Sequence, residues 1–257
     1  MLRFWLINII FLIFFILIAW FGLHYVVWIC CFLLYIATIA HGAAKMEAGF
    51  FLKSFCRGNN SKKQVVLSFD DGPDPVNTPQ VLDMLKAHDL KATFFCVGKK
   101  LEKHPEIAQR INEEGHIIGN HSYNHTNGFP MKAASAIREE IVKTRRLIEN
   151  TTGKPNKYFR PPFGVTNPKI AKALKGLDFM VVGWSIRSFD LSKKSSDKIS
   201  ARIITKLRGG DIILLHDTSP KIIAILDHLS KHLKRSAWEV VSLDKLIADS
   251  NGRGLEK

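Results

Sequence analysis

The sequence predicts an α/β protein: a domain of about seven parallel strands with helical crossovers, preceded by an N-terminal transmembrane helical hairpin. Three observations predict it. Residues 4–44 form 41 consecutive positions without Lys, Arg, Asp or Glu. From residue 64 onward, short apolar runs alternate with longer stretches of helical period, the pattern of parallel strands joined by helices. Ionisable residues then gather at the C-terminal ends of those runs, the face on which β/α barrels carry their chemistry.

One membrane span needs about 20 apolar residues, so the uncharged segment has room for two. FWLINIIFLIFFILIAWFGL reads as the first and YVVWICCFLLYIATIA as the second, with Gly22 and His24 at the turn. A cleaved signal peptide is the alternative, but its apolar core is only about 7–15 residues long. A soluble buried hairpin fits less well still, because both segments are apolar all round. Residues 1–44 are thus assigned to two spans, 45–63 to a polar linker that includes FCRGNNSKKQ, 64–250 to the α/β domain and 251–257 to a tail. This places the protein in a cell membrane as a two-span chain, with membrane lipid as a partner.

The strand-like runs are 64–69, 92–97, 116–120, 158–163, 179–185, 211–216 and 238–243. Between the first two, Thr78 reads as a helix N-cap with Pro79 at the first helical position, and Val81, Leu82 and Leu85 form an apolar stripe. MKAASAIREEIVKTRRLIENTTG carries Ile137, Ile141, Leu147 and Ile148 ahead of a glycine stop. At this stage an open sheet and a barrel are both allowed.

The formal net charge is +14, and nearly all of it follows position 50, with 35 basic against 22 acidic residues there. A basic domain on a membrane tether suits anionic headgroups or anionic cell-wall polymers. Nucleic acid is not indicated, because aromatic and basic residues do not interleave. No obligate protein partner is inferred. Of the four cysteines, Cys30 and Cys31 lie in the second apolar segment, and there is no CxxC or disulfide framework. Cys96 reads as a small core residue.

In VVLSFDDGPDP the doublet Asp70–Asp71 stands where a strand ends. Asp-Gly-Pro is good turn chemistry, which accounts for one Asp but not two. Two ionised neighbours repel unless cations compensate; a metal ion could serve one and Arg160 the other. HSYNH sets His121 and His125 four apart. With one carboxylate they make a three-ligand set with an open position, as catalytic zinc requires. Among ten histidines this spacing alone is weak; its place after a strand end, beside an Asp pair, makes it a candidate site.

SFDDGP, HSYNH, RPPFG, WSIRSFD and ILLHD also stand in the order and spacing of the polysaccharide deacetylase family, carbohydrate esterase family 4 or the NodB-homology domain. The resemblance covers about residues 62–247. It implies a distorted (β/α) barrel and metal-dependent removal of N- or O-acyl groups from sugars. Carried onto this sequence, it makes Asp71, His121 and His125 the ligands of one divalent ion, Zn²⁺ with Co²⁺ or Ni²⁺ as alternatives. Asp70 becomes the general base, oriented by Arg160. His216 becomes the general acid, with Asp190 as its partner. Phe163 would offer a backbone N–H to the oxyanion, and Trp184 and Leu214 would wall the substrate site. Leu215 reads equally as pocket wall or strand core. Ser68, Phe163, Arg187 and Leu191 depart from the family's frequent residues; the last two bear on the groove and the surroundings of His216, not on the metal site.

The implied substrate is an N-acetylated glycan: peptidoglycan, a chitooligosaccharide-like chain or a lipid-linked sugar. A deacylase or deformylase of lipid-linked sugars at the inner membrane face is the alternative, and a non-catalytic glycan-binding protein a more distant one. A retaining glycosidase would need two carboxylates about 5–5.5 Å apart across the sugar, which does not call for His-x3-His. Arg3, Lys45, Lys53 and Arg57 flank the hairpin and its turn has no Lys or Arg, so the positive-inside rule favours a cytoplasmic domain. Most relatives of this kind act outside, and the side is left open.

Overall fold

A computed structural model of the chain describes residues 2–59 and 61–251; all of the expected tail except residue 251 lies outside the described residues. Two long apolar helices come first, α1 (Leu2–Trp20) and α2 (Tyr25–Ala44). The domain then runs β1 (Gln64–Asp70), α3 (Asn77–Ala87), β2 (Ala92–Cys96), α4 (Gly98–Lys103), α5 (Pro105–Glu113), β3 (Ile117–Asn120), α6 (Ala134–Thr152), β4 (Tyr158–Phe159) and α7 (Pro168–Leu174). It continues with β5 (Met180–Val181), β6 (Ile186–Arg187), α8 (Ser196–Ile204), β7 (Asp211–His216), α9 (Ile222–Arg235), β8 (Glu239–Val240) and α10 (Leu243–Asn251).

The strands pair in parallel in the order β5-β4-β3-β2-β1-β7-β6, with β8 added beside the first residues of β1. This is the expected α/β fold with seven parallel strands along a curled, incompletely closed barrel. Of the run 179–185, read as one strand, only β5 forms one, at one edge of the sheet; β6, just after the run, forms the other edge. Four residues, 182–185, carry the chain across the opening between them, and the strand ends early because of that crossing.

The stretch 45–63, read as a linker, holds more structure than a tether needs. Phe55 N–H donates to Val181 O at 2.8 Å, Gly183 N–H to Phe55 O at 2.9 Å, and Gly58 N–H to Gly210 O at 2.7 Å. Residues 55–58 thereby link edge strand β5 to the start of β7 across the seam. The approach is close: a Cβ on Gly183 would lie 2.5 Å from Cys56 Sγ. Arg57 pairs with the buried Asp211 at 2.9 Å, whose carboxylate also accepts from Ser185 Oγ and the Arg208 N–H.

Strand periodicity sorts the central residues onto two faces. Val65, Leu67 and Phe69 pack with Val81, Leu82 and Leu85 of α3 and with Ile225 and Leu229 of α9. Val66 faces the barrel interior with Phe95 and Ile212. Continuing that inner column upward gives Ser68 and Asp70 on β1, and Leu214 and His216 on β7. The register pairs Ser68 with Leu214 and Asp70 with His216. The apolar filling of the lower barrel gives way to polar groups at its upper rim. Leu215 points the other way, into the helix-facing core.

Helix α3 starts two residues earlier than expected, and Thr78 is not its cap. Asp74 Oδ1 accepts from the N–H groups of Val76 and Asn77 at 3.0 and 2.8 Å, satisfying donors that a helix start leaves open. Thr78 lies inside the helix, its buried hydroxyl donating to Asp217 Oδ2. On α6, Ile137, Ile141 and Ile148 are buried as expected, Leu147 is half-buried, and Gly153 ends the helix at φ 65°.

Helices α1 and α2 lie side by side. Their apolar windows have mean hydropathies of 2.3 and 2.0, and only 6% of each window is buried. Both are long and apolar enough to cross a membrane, and neither is buried as a core helix would be. Tyr35 donates to Asn8 Oδ1 at 2.8 Å between them. At the base of the hairpin, Phe50 and Phe51 close around Phe4, and Thr166 N–H donates to Ala43 O at 2.9 Å.

The seam makes a testable contribution to stability. Arg57→Met leaves Asp211 buried with two remaining hydrogen bonds, and should cost about 1.5–3 kcal/mol, the scale of hydrogen bonds to charged groups. A lower midpoint of denaturant unfolding at unchanged slope is the expected result; an unchanged midpoint would show that residues 55–58 merely lie on the barrel.

Candidate active site

Asp70, Asp71, His121, His125, Phe163, Trp184, Asp190, Leu214 and His216 line one cavity of about 230 Å³ at the C-terminal ends of the strands. Arg160 lies behind Asp70, fully buried.

The Asp doublet works by a change of backbone conformation. Asp70 is the last residue of β1 and keeps the inward direction of Ser68. Asp71 takes φ 72°, a left-handed conformation that Asp tolerates better than most residues. The chain therefore turns between them, and both carboxylates line the cavity. Five of the eight non-glycine residues with positive φ among the described residues lie here: Asp71, Ser122, His125, Phe163 and Phe189. Such conformations cost about 1–3 kcal/mol each and persist where the surroundings fix them.

Asp71 Oδ1 lies 3.4 Å from His121 Nε2 and 3.2 Å from His125 Nε2. The three donor atoms fall within 4.8 Å of one another. His121 Nδ1 donates to Arg160 O at 2.7 Å; since a carbonyl only accepts, the neutral ring keeps its Nε2 lone pair toward Asp71. Burial alone would raise the Asp71 carboxyl, but when the neighbouring imidazoles are protonated, hydrogen bonding to His121 and the charges of His121, His125 and His216 hold it well below the usual range. Burial, with His121 beside it, lowers His125. One carboxylate and two neutral imidazoles converging from a strand end and a loop fit a divalent ion with an open coordination position.

Arg160 Nη1 donates to Asp70 Oδ1 at 2.6 Å and to Ser68 Oγ at 3.0 Å; Nε and Nη2 donate to the carbonyls of Val182 and Gly183. Its guanidinium also stacks over Phe95 at 4.0 Å. Asp70 Oδ2 is left facing His121 Nε2 at 3.8 Å.

On the opposite wall, His216 Nδ1 meets Asp190 Oδ1 at 2.8 Å, and its backbone N–H donates to Asp190 Oδ2 at 2.7 Å. Asp190 is buried and also accepts from Ser188 Oγ. Burial alone would lower His216, but the Asp190 hydrogen bond and charge, with Asp70 and Asp71 beyond, raise it above its ordinary value. Nε2 is the nitrogen left for the cavity.

Phe163 sits at φ 61° in the turn Pro162–Gly164, its ring 4.7 Å from that of His125. Gly164 has no room for a side chain, since a Cβ would lie 2.2 Å from the Trp184 ring. Arg187 and Leu191, the departures seen in the sequence, both line the cavity, with Phe189 and Ser192.

Sequence reasoning missed Glu140. This buried carboxylate on α6 accepts from the N–H groups of Tyr123 and Asn124 at 3.2 and 2.8 Å and pairs with Lys132. It shapes the loop that carries His125. The signal was present: Glu140 follows Ile137 by three on the apolar stripe of α6, where a charged residue needs a reason. Lys100, which donates to Asp71 O at 2.7 Å, carried no such signal.

A model of the family described as polysaccharide deacetylase matches residues 57–182. A peptidoglycan-N-acetylglucosamine deacetylase of Bacillus cereus is 36% identical over 200 residues, covering 76% of this chain and 72% of the relative. The peptidoglycan-N-acetylmuramic acid deacetylase PdaA of Bacillus subtilis is 34% identical over 204 residues, covering 78% and 77%. The solved structure of the latter, a family 4 carbohydrate esterase, superposes with a TM-score of 0.69 at 34% identity over 76% of this chain and 85% of that one. On the barrel, the convergent site and these similarities together, the chain belongs to the polysaccharide deacetylase family of hydrolases.

Proposed function

We propose that this protein removes N-acetyl groups from amino-sugar residues of a glycan with the help of one divalent metal ion, and that α1 and α2 anchor it in a membrane. The observation that carries the reading is the pairing of Asp70 with His216 across β1 and β7. An arginine-held carboxylate and an aspartate-held imidazole thereby face one cavity, with the Asp71, His121 and His125 donor set beside them. Relatives named as deacetylases of peptidoglycan N-acetylglucosamine and of chitooligosaccharide support the substrate class.

Asp71, His121 and His125 would hold the ion. When bound, it acidifies a water and polarises the acyl oxygen. Zn²⁺ suits one oxygen and two imidazole donors, as do Co²⁺ and Ni²⁺. Asp70, fixed through Oδ1 by Arg160, takes a proton from the attacking water. The water oxygen bonds to the acyl carbon, and the backbone N–H of Phe163 supports the oxygen on which charge develops. His216 Nε2 gives its proton to the amide nitrogen as the C–N bond breaks. The sugar leaves as an amine and the acyl group as acetate. Trp184 and Leu214 wall the acyl and sugar positions. A non-catalytic glycan-binding protein would have little use for two opposed proton-transfer groups, each with its own orienting partner.

Two measurements test the division of roles. Metal content and acetate release from chitooligosaccharides should separate the two Asp neighbourhoods. Asp70→Asn should keep its metal while losing at least ~10²-fold in kcat, and His125→Ala should lose both. Glu140→Ala should weaken metal affinity about 10–100-fold, the usual effect of removing a group that orients a ligand. Equal metal loss in Asp70→Asn and His125→Ala would overturn the assignment.

The pH profile tests His216. As an acid with a raised pKa it is competent below that pKa, and activity falls as pH rises through it. Asp190→Asn removes the charge that raises it, so the alkaline limb of kcat should move to lower pH. A limb that stays in place would assign it to another group.

A further inference from the structure

We propose that the mouth of this site sits in the headgroup layer of the membrane, and that the glycan it deacetylates is carried on a lipid in the same leaflet. This rests on the membrane anchoring and deacetylase activity proposed above, and narrows them to one class of substrate.

The distances lead there. Helix α2 has 20 residues, about 30 Å at 1.5 Å per residue, which matches a hydrocarbon core of about 30 Å. If α2 spans that core, Ala43 and Ala44 lie at its boundary. The domain is attached to this end directly, through Thr166 N–H on Ala43 O at 2.9 Å. Thr166 is three residues from Phe163, the exposed ring at the cavity wall. Three residues reach at most about 11 Å, and the polar layer on each side of the core is about 5–8 Å deep. The cavity mouth therefore lies at the level of the headgroups or just beyond them.

The rim has the chemistry of that layer. Phe163, Phe189 and Leu191 are 43%, 45% and 55% exposed around one cavity, and apolar side chains of this size seldom cluster in water without a partner. Arg187 lies over the Phe189 ring at 5.2 Å and Arg202 at 4.6 Å, while Lys193 and Lys194 follow Leu191 in sequence. Met131, 74% exposed, flanks the same attachment: Asn167, next to Thr166, donates to Pro130 O at 2.6 Å. Aromatic and cationic side chains together are what headgroup depth favours. A sugar can be offered to such a mouth at high effective concentration only if its carrier stays in the bilayer.

The test uses the full chain, with Cys30→Ser and Cys31→Ser, in vesicles of phosphatidylethanolamine and phosphatidylglycerol containing a headgroup-nitroxide lipid. A fluorophore at Leu191→Cys or, independently, at Met131→Cys should be quenched several-fold more than one at Lys86→Cys, which lies at the far end of α3. Equal quenching at all three would overturn the placement. In the unlabelled full chain, an N-acetylglucosaminyl lipid in the same vesicles should be deacetylated at least about tenfold faster than a water-soluble chitooligosaccharide at equal bulk concentration. Hydrolysis of the soluble sugar with none of the glycolipid would overturn the substrate class. Failure on both would instead overturn the deacetylase reading itself, and the quenching pattern would still decide where the mouth lies.

Discussion

The buried guanidinium of Arg160 is the interaction on which the site depends. A charge taken wholly out of water costs several kcal/mol unless partners replace the water. Here Asp70, Ser68 and two carbonyls of the barrel seam do so, and an aromatic ring lies beneath it. The same residue serves twice. Its side chain fixes one oxygen of Asp70, and its carbonyl accepts from His121 Nδ1, which aims the other imidazole nitrogen at Asp71. The position of Asp70 and the tautomer of His121 are thus set by one residue at the end of β4. The seam carbonyls of Val182 and Gly183 complete its shell, so the closed barrel is part of what holds the site.

This coupling explains why the seam is elaborate. Strands β5 and β6 are two residues each, too short to close a barrel by pairing alone. Residues 55–58 supply the missing hydrogen bonds, and Arg57 offsets the charge of Asp211 at the seam's other edge. Backbone strain is concentrated at the opposite, catalytic end, in Asp71, His125, Phe163 and Phe189. Regular parallel pairing lower in the barrel, where β1 is buried on both faces, offsets that cost.

Much of this was legible in the sequence. The apolar runs placed the strands, and the position of Asp70, His121, Arg160 and His216 at their ends placed the site on one face. The Asp doublet signalled two roles, because turn chemistry needs only one of them. The rest was hidden for identifiable reasons. Run 179–185 is continuous in sequence and cut short after Val181 by a crossing that only the closed sheet requires. Thr78 has the composition of a cap, but Asp74 reaches the free N–H groups first and Thr78 is drawn to Asp217. Glu140 stood on an apolar stripe and was open to notice. The bond from Thr166 to Ala43 joins residues 123 apart in sequence, and no local pattern announces such a contact.

Arg160 and Asp70 should therefore act as a unit. A double-mutant cycle on kcat/KM for acetate release tests it most directly, using Asp70→Asn, Arg160→Gln and the pair, each shown to be folded and metal-loaded. Groups that act together are strongly non-additive. Arg160→Gln should cost little more once Asp70 has become Asn; losses that multiply would show that Arg160 supports the fold and Asp70 the chemistry, each without the other.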